Sequence, residues 1–220
     1  MNRKIIYLTI TFGVILFILI GCNLLNIISV YRISTSANEP TIKTGSAIFI
    51  SRFKKAELGN FIAFERENNS YLYRVVGEEN DTLEIIDGTL YRNRKNFDNQ
   101  YNLNHSYLID INEIKKLPEK QRNYFTQRGF PVLIENKYLH ITAEDSVMHK
   151  VKFPYKRILD TIPDKFIADV YQQDWNRDNF GPIVIPANKV FVLGDNRENA
   201  MDSRYIGLID KSDIKGTLIR

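Results

Sequence analysis

Gly194-Asp195-Asn196-Arg197-Glu198-Asn199-Ala200-Met201-Asp202-Ser203-Arg204-Tyr205-Ile206-Gly207 is the stretch on which the reading of this chain turns. It leaves a strand-like run, Lys189 to Leu193, at a glycine. Asp195, Asn196 and Arg197 follow at once, residues expected to fix a turn by bonding side chain to backbone. Upstream, Ile183 to Ile185 is a second extended piece, and downstream the chain ends on a third, Ile214 to Ile219. A polar loop carried by strands is the expectation.

Further from the loop the same alternation recurs. Ser46 to Phe53, Asn60 to Phe64 and Tyr71 to Val76 read as strands, with breaks at Gly45, Gly59 and Gly77. Thr82 to Tyr91 reads as a hairpin turning at Asp87-Gly88, and Arg92 to Asn96 as a solvated basic turn. Between about Asn93 and Trp175 the text becomes richer in Asn, Lys and Tyr. It holds one helix, Ile111 to Arg128, interrupted at Pro118, and short extended pieces such as Lys137 to Thr142 divided by Pro131, Pro154 and Pro163. The pattern predicts a mainly β fold. Residues 32–92 and 175–220 would form the β core, and 93–174 an inserted α+β subdomain.

Hydrophobic residues make up 44% of the 220 and charged residues 25%, a globular balance that excludes general disorder, collagen and coiled coil. A net charge of +4, widely dispersed, leaves no nucleic-acid footprint. The single cysteine, Cys22, excludes an internal disulfide, and His105, His140 and His149 have no zinc-ligand spacing. No metal or cofactor is expected, and these histidines read as ordinary surface or packed residues. The 25 Phe and Tyr read first of all as core.

Arg3 and Lys4 precede 26 residues without a charge, Ile5 to Val30. That run suffices for a hydrocarbon core of about 30 Å. The positive flank would stay in the cytoplasm and everything after Arg32 would lie outside. Residues 1–31 are therefore read as a single-pass anchor in the cell (inner) membrane, a transmembrane helix. Leu19-Ile20-Gly21-Cys22 also resembles a lipobox, which opens the alternative of a lipoprotein lipidated at Cys22. The apolar run continues past it through Leu24, Leu25, Ile27, Ile28 and Val30, which favours the uncleaved anchor.

The 194–207 stretch resembles the last signature block of type I signal peptidases, G-D-N-R-x-N-S-x-D-S-R-x-x-G; of its ten specified positions only Ala200 departs. Tyr31-Arg32-Ile33 with Pro40-Thr41 looks like the first block, Y-R-I-P-S-x-S-M-x-P-T, and Arg74-Val75-Val76-Gly77 with Asp81 like the middle one, K-R-V-V-G-x-x-G-D, with Asn80 in place of its second glycine. Trp175 to Pro182 resembles a stretch that precedes the last block in some members. The resemblance implies a signal-peptidase-like antiparallel β domain at the outer face of the membrane. It implies a serine nucleophile, a lysine base kept neutral by burial, and a groove that takes the substrate as an added strand.

Carried over position by position, the resemblance meets three substitutions. The nucleophile falls on Ala37, the base on Tyr73 and the orienting serine on Ala200; Asn38 replaces the methionine after the nucleophile. Alanine has no nucleophile, and a phenol of ordinary pKa about 10 does not replace a desolvated amine near neutrality. The expectation is a catalytically inactive homologue, a pseudoenzyme of a serine-endopeptidase family. Its expected partners are the membrane and signal peptides of exported preproteins, an active signal peptidase that it assists, or proteins being assembled at the surface. Nucleic acid is excluded. An active enzyme with a displaced dyad on Ser36, and a lipoprotein binding module reusing the fold, stand as alternatives. Lys43 and Lys54 offer amines to the first of these. Asp195, Asn196, Arg197, Asp202 and Arg204 are read as structural support of the site, the last two as an ion pair. Thr35, Pro40 and Arg74 are read as groove residues.

Overall fold

The computed structural model describes residues 3–24, 27–67, 69–127 and 131–219. Fifteen described strands follow one helix, α1 (Arg3–Leu24). β1 (Ile28–Arg32), β2 (Ala47–Ser51), β3 (Phe61–Arg66) and β4 (Asn69–Gly77) come first, then β5 (Thr82–Ile86), β6 (Thr89–Arg92) and β7 (Lys95–Asn96). β8 (Asn104–Asp110), α2 (Ile111–Lys115), α3 (Glu119–Gln127), β9 (Val132–Ile134), β10 (Tyr138–Glu144), α4 (Asp145–Met148) and β11 (Tyr155–Arg157) occupy the middle. α5 (Lys165–Tyr171), β12 (Phe180–Val184), β13 (Lys189–Leu193), α6 (Ser203–Ile206), β14 (Ile209–Asp210) and β15 (Ile214–Ile219) complete the chain.

These strands form three sheets, ordered β1-β2-β15-β3-β4-β13-β14, β11-β8-β10-β9 and β12-β5-β6-β7, and every strand pairing is antiparallel. Successive side chains of a strand point to opposite faces, and the sequence fills both. On β13, Val190 and Val192 join one core while Phe191 and Leu193 join another. On β3, Ile62 and Phe64 go to one side, Phe61 and Ala63 to the other. The middle strands of the large sheet are thus covered on both faces, which explains their nearly continuous apolar text.

The hairpin turns where Asp87-Gly88 predicts, with φ of 47° and 72°, the positive pair of a type I′ turn. Asn93 and Arg94 repeat that geometry (φ 52° and 65°) and start β7. Arg92, expected in solvent, instead donates from Nε to Asp81 at 2.6 Å. Asp81 also accepts from the Glu78 amide and from Asn93 Nδ2. Burial pushes the Asp81 carboxyl up, and these donors outweigh it to leave the group below its ordinary value.

Within 93–174, β8 to β11 and helices α2 to α4 enclose their own core around Ile109, Ile114, Phe125, Ile141 and Met148. The helix read across Pro118 is two, α2 and α3. Phe97 and Ile167, also in this stretch, pack with Leu83, Phe180 and Phe191 of the other sheets.

The amino-terminal reading needs two adjustments. The charge-free run reaches Val30, yet the helix ends at Leu24, and Ile28 to Arg32 are taken by β1, paired with β2 from Ile28↔Ser51 to Arg32↔Ala47. Among the described residues no helix is long and apolar enough to cross a membrane. The side chains of residues 17–20 and of Cys22 lie outside the described residues, so neither the span nor lipidation at Cys22 is carried by the structure.

Asp202 and Arg204 are 0% and 1% exposed and form a two-pronged pair, Nε to Oδ1 and Nη2 to Oδ2, each at 2.9 Å. Asp202→Ala strands a buried guanidinium and should cost about 3–5 kcal/mol. Denaturant unfolding checks this; an unchanged midpoint would remove the pair from the fold's support.

Candidate active-site groove

A groove of about 1080 Å³ runs between residues 31–38 and the β3–β4 pair, with the 198–201 loop across one end. Ala37, Tyr73 and Ala200, far apart in sequence, all line it and share one buried cluster. The place where they meet is Gly194. A Cβ there would overlap the Ala200 methyl, come within 2.5 Å of the Ala37 carbonyl oxygen, and lie 3.4 Å from Tyr73 Cε1. Only a residue without a side chain lets the loop, the turn at Ala37 and β4 close on one another.

Tyr73 is one of the groove's lining residues. Its ring lies 6.1 Å from Tyr71 and 6.3 Å from Phe64, and Phe64 stacks on Tyr71 at 5.4 Å, so β3 and β4 present an aromatic wall. Tyr73 is 5% exposed. Burial, reinforced by the Asp202 charge and opposed by a hydrogen bond from the Met201 backbone, holds its phenol well above the ordinary 10. The group is neutral throughout the physiological range. It neither accepts a proton there nor presents a nucleophilic anion.

Each signature side chain has a defined job. Asp195 takes Arg74 from Nε to Oδ1 at 2.8 Å and from Nη2 to Oδ2 at 2.5 Å, and accepts from the Thr41 hydroxyl as well. The same guanidinium lies 4.2 Å from both the Phe61 and Tyr101 ring centroids, a cation held between two aromatic faces. Asn196 donates from its amide to Ala37 O at 3.0 Å and from Nδ2 to Ser36 O at 3.1 Å. Arg197 grips Asp98 at 2.8 and 2.5 Å. The expectation of side chains fixing their own turn is thus corrected. They reach other segments and tie β4, the 36–37 turn and the 98–100 turn to one loop.

Thr35 is among the residues that line the groove. Pro40 and Arg74 do not line it; Arg74 is turned inward by Asp195 and the two rings. Ser36 lines the groove, and its Oγ accepts from Asn199 Nδ2 at 2.6 Å. Among the described residues no lysine amine is hydrogen-bonded to it. Lys54 donates to the Leu218 carbonyl, and Lys215, on the groove wall, pairs with Glu65 at 3.1 Å. Asn38, a substitution noted in the sequence, is 3% exposed and donates to Leu72 O at 2.7 Å. Phe64 and Tyr71 are the wall residues that sequence reading passed over. Their only early signal was alternation with Tyr73 along β4 and a facing aromatic on β3.

An antiparallel β protein with a polar signature loop beside an aromatic groove is the class these features define. The family model described as signal peptidase, peptidase S26, matches residues 5–219. Signal peptidase IB of Staphylococcus aureus is 31% identical over 86% of this chain and 75% of that protein; signal peptidase I P of Bacillus subtilis subsp. natto is 25% identical over 84% and 72%. A crystal structure of a signal peptidase I from Enterococcus faecalis aligns with TM-score 0.38 at 20% identity, over 76% of this chain and 98% of that one. The chain belongs to the signal peptidase family, peptidase S26.

Gly194→Ala should destabilise by about 1–3 kcal/mol or more, because its neighbours include a backbone carbonyl that cannot swing away. A thermal melt equal to the parent's would show that the three segments do not close as tightly as described.

Proposed function

We propose that this chain is a membrane-anchored, non-catalytic member of its family that holds extended peptide segments, signal peptides of exported preproteins foremost, or assists an active signal peptidase. The observation that carries this reading is the convergence of Ala37, Tyr73 and Ala200 on Gly194. The position expected for a hydroxyl nucleophile holds a methyl group, and the position expected for an amine base holds a buried neutral phenol. The groove beside them is about 1080 Å³, and the loop that borders it is held by ion pairs. The charge-free run behind Arg3 and Lys4 supports a single-pass anchor with the groove on the outer side. Ser36 is a poor rival nucleophile, since the group its hydroxyl meets is an amide donor rather than a base.

Two measurements test this. Purified full-length protein should bind a synthetic signal peptide with an Ala-x-Ala end and leave it intact. Turnover that vanishes in Ser36→Ala would establish the displaced dyad instead. Ala37→Ser or Tyr73→Lys alone should restore little, because a nucleophile and its base act as a unit. The triple change Ala37→Ser, Tyr73→Lys, Ala200→Ser should restore cleavage that rises with pH through the lowered amine pKa. A triple variant that folds and binds yet cuts nothing would mean the backbone at residue 37 has left the active geometry.

A further inference from the structure

The middle sheet reaches the groove through a short stretch of main chain. Asn104, the first residue of β8, donates its amide to Asp195 O at 3.0 Å and accepts at its carbonyl from the Arg197 amide at 3.1 Å, a parallel bridge to Asn196. Asn196 in turn holds the Ala37 and Ser36 carbonyls. Three segments therefore stand in line: β8, the signature loop and the groove turn.

The next residue of β8 is His105, 2% exposed, with Nδ1 2.7 Å from Asp145 Oδ1. The Tyr107 hydroxyl donates to the same oxygen at 2.6 Å. Burial works against ionising Asp145, but the contacts with His105 and Tyr107 outweigh it, so the group stays below its ordinary value and is an acceptor only. Nδ1 must then carry the hydrogen, and Nε2, buried without a partner, is left as a lone pair. Burial is the largest influence on the ring and favours its neutral form. Asp145 on α4 opposes this, while Arg157 on β11 and Arg197 of the signature loop add to it. Asp98, Tyr101, His149 and Tyr155 complete the titratable lining of the adjoining 520 Å³ cavity.

We propose that His105 is a positioning residue for the groove, and that the joint between β8 and the signature loop opens when its ring takes a proton. The link to peptide holding rests on the reading above; the joint itself does not. A protonated ring would bring a third cation among Arg157 and Arg197 and a buried Nε2–H with no acceptor. In the closed joint the ring resists protonation, and in the open joint it takes the ordinary value of about 6.5. The closed state is therefore independent of pH well above 6.5 and loses ground as pH falls through it. Opening should increase as pH falls from 7.5 to 5.5, by at most about tenfold. Asp145 stays ionised across that window and adds nothing.

Amide hydrogen exchange on the full chain in detergent, without peptide, tests this. The Asn104 and Arg197 amides, which make the joint, should after correction for intrinsic exchange rates lose up to about tenfold more protection over that range than the core amide of Val192. His105→Asn, whose amide nitrogen can still donate to Asp145 but cannot titrate, should flatten the response. Parent protection that ignores pH, or the same loss in the variant, overturns the proposal. Should the variant not fold, the parent decides: a ring proton resonance that titrates while the Asn104 and Arg197 amide shifts stay still overturns it too. Peptide affinity measured over the same pH range is a separate arm. A pH-dependent joint with no peptide binding at any pH leaves the joint standing and removes the binding role.

Discussion

The carboxylate of Asp202 is sealed from solvent and accepts four hydrogen bonds: two from the Arg204 guanidinium, one from the Arg204 amide and one from the Gly194 amide. A buried charge is tolerable only when its hydrogen-bonding capacity is filled, and here filling it sets the path of the loop at both ends. One oxygen takes the glycine that leaves β13, and the other starts α6. The Arg204 guanidinium continues outward to the Arg197 and Arg177 carbonyls. The course of the loop beside the groove follows from that arrangement.

Two further buried ion pairs extend it. Arg74–Asp195 ties the loop to β4, and Arg197–Asp98 ties it to the turn beyond β7. Such pairs contribute little net free energy over an apolar core of the same shape, but losing one partner is costly. They therefore act more on where the loop sits than on how stable the molecule is. This separates scaffold from chemistry. Ala37, Tyr73 and Ala200 hold no part of the ionic framework, so their side chains can change without breaking an ion pair.

The middle sheet is joined to the same loop by main-chain bonds at Asn104 rather than by side-chain packing alone. Its own core of Ile109, Ile114, Phe125 and Met148 makes it a unit, and its contact with the signature loop falls where Asn196 already holds the groove turn. A displacement of β8 at its first residues has a short route to Ser36 and Ala37.

Much of this was legible in the chain. The Asp87-Gly88 turn, the Lys189–Leu193 strand and the break at Pro118 follow from local chemistry: positive φ, alternation, and a residue with no amide hydrogen. Ala37, Tyr73 and Ala200 could be singled out from the sequence, because they sit in fixed places within ordered motifs, and the folded chain brings them together. β1 was hidden inside the charge-free run, since Ile28 and Val30 suit an apolar helix and a half-exposed strand equally, and only pairing with β2 decides between them. Arg74 reads as a groove residue by its neighbours in sequence; Asp195, more than a hundred positions away, pulls it inside. The partners of Asn196 and Arg197, the aromatic wall of Phe64, Tyr71 and Tyr73, and the neutral His105 are likewise decided by which distant segments the sheets bring together. Residue type and order are enough to say which positions carry a hydroxyl, an amine or neither. Which of them meet is set only in the folded molecule, because burial and long-range hydrogen bonding belong to no single segment.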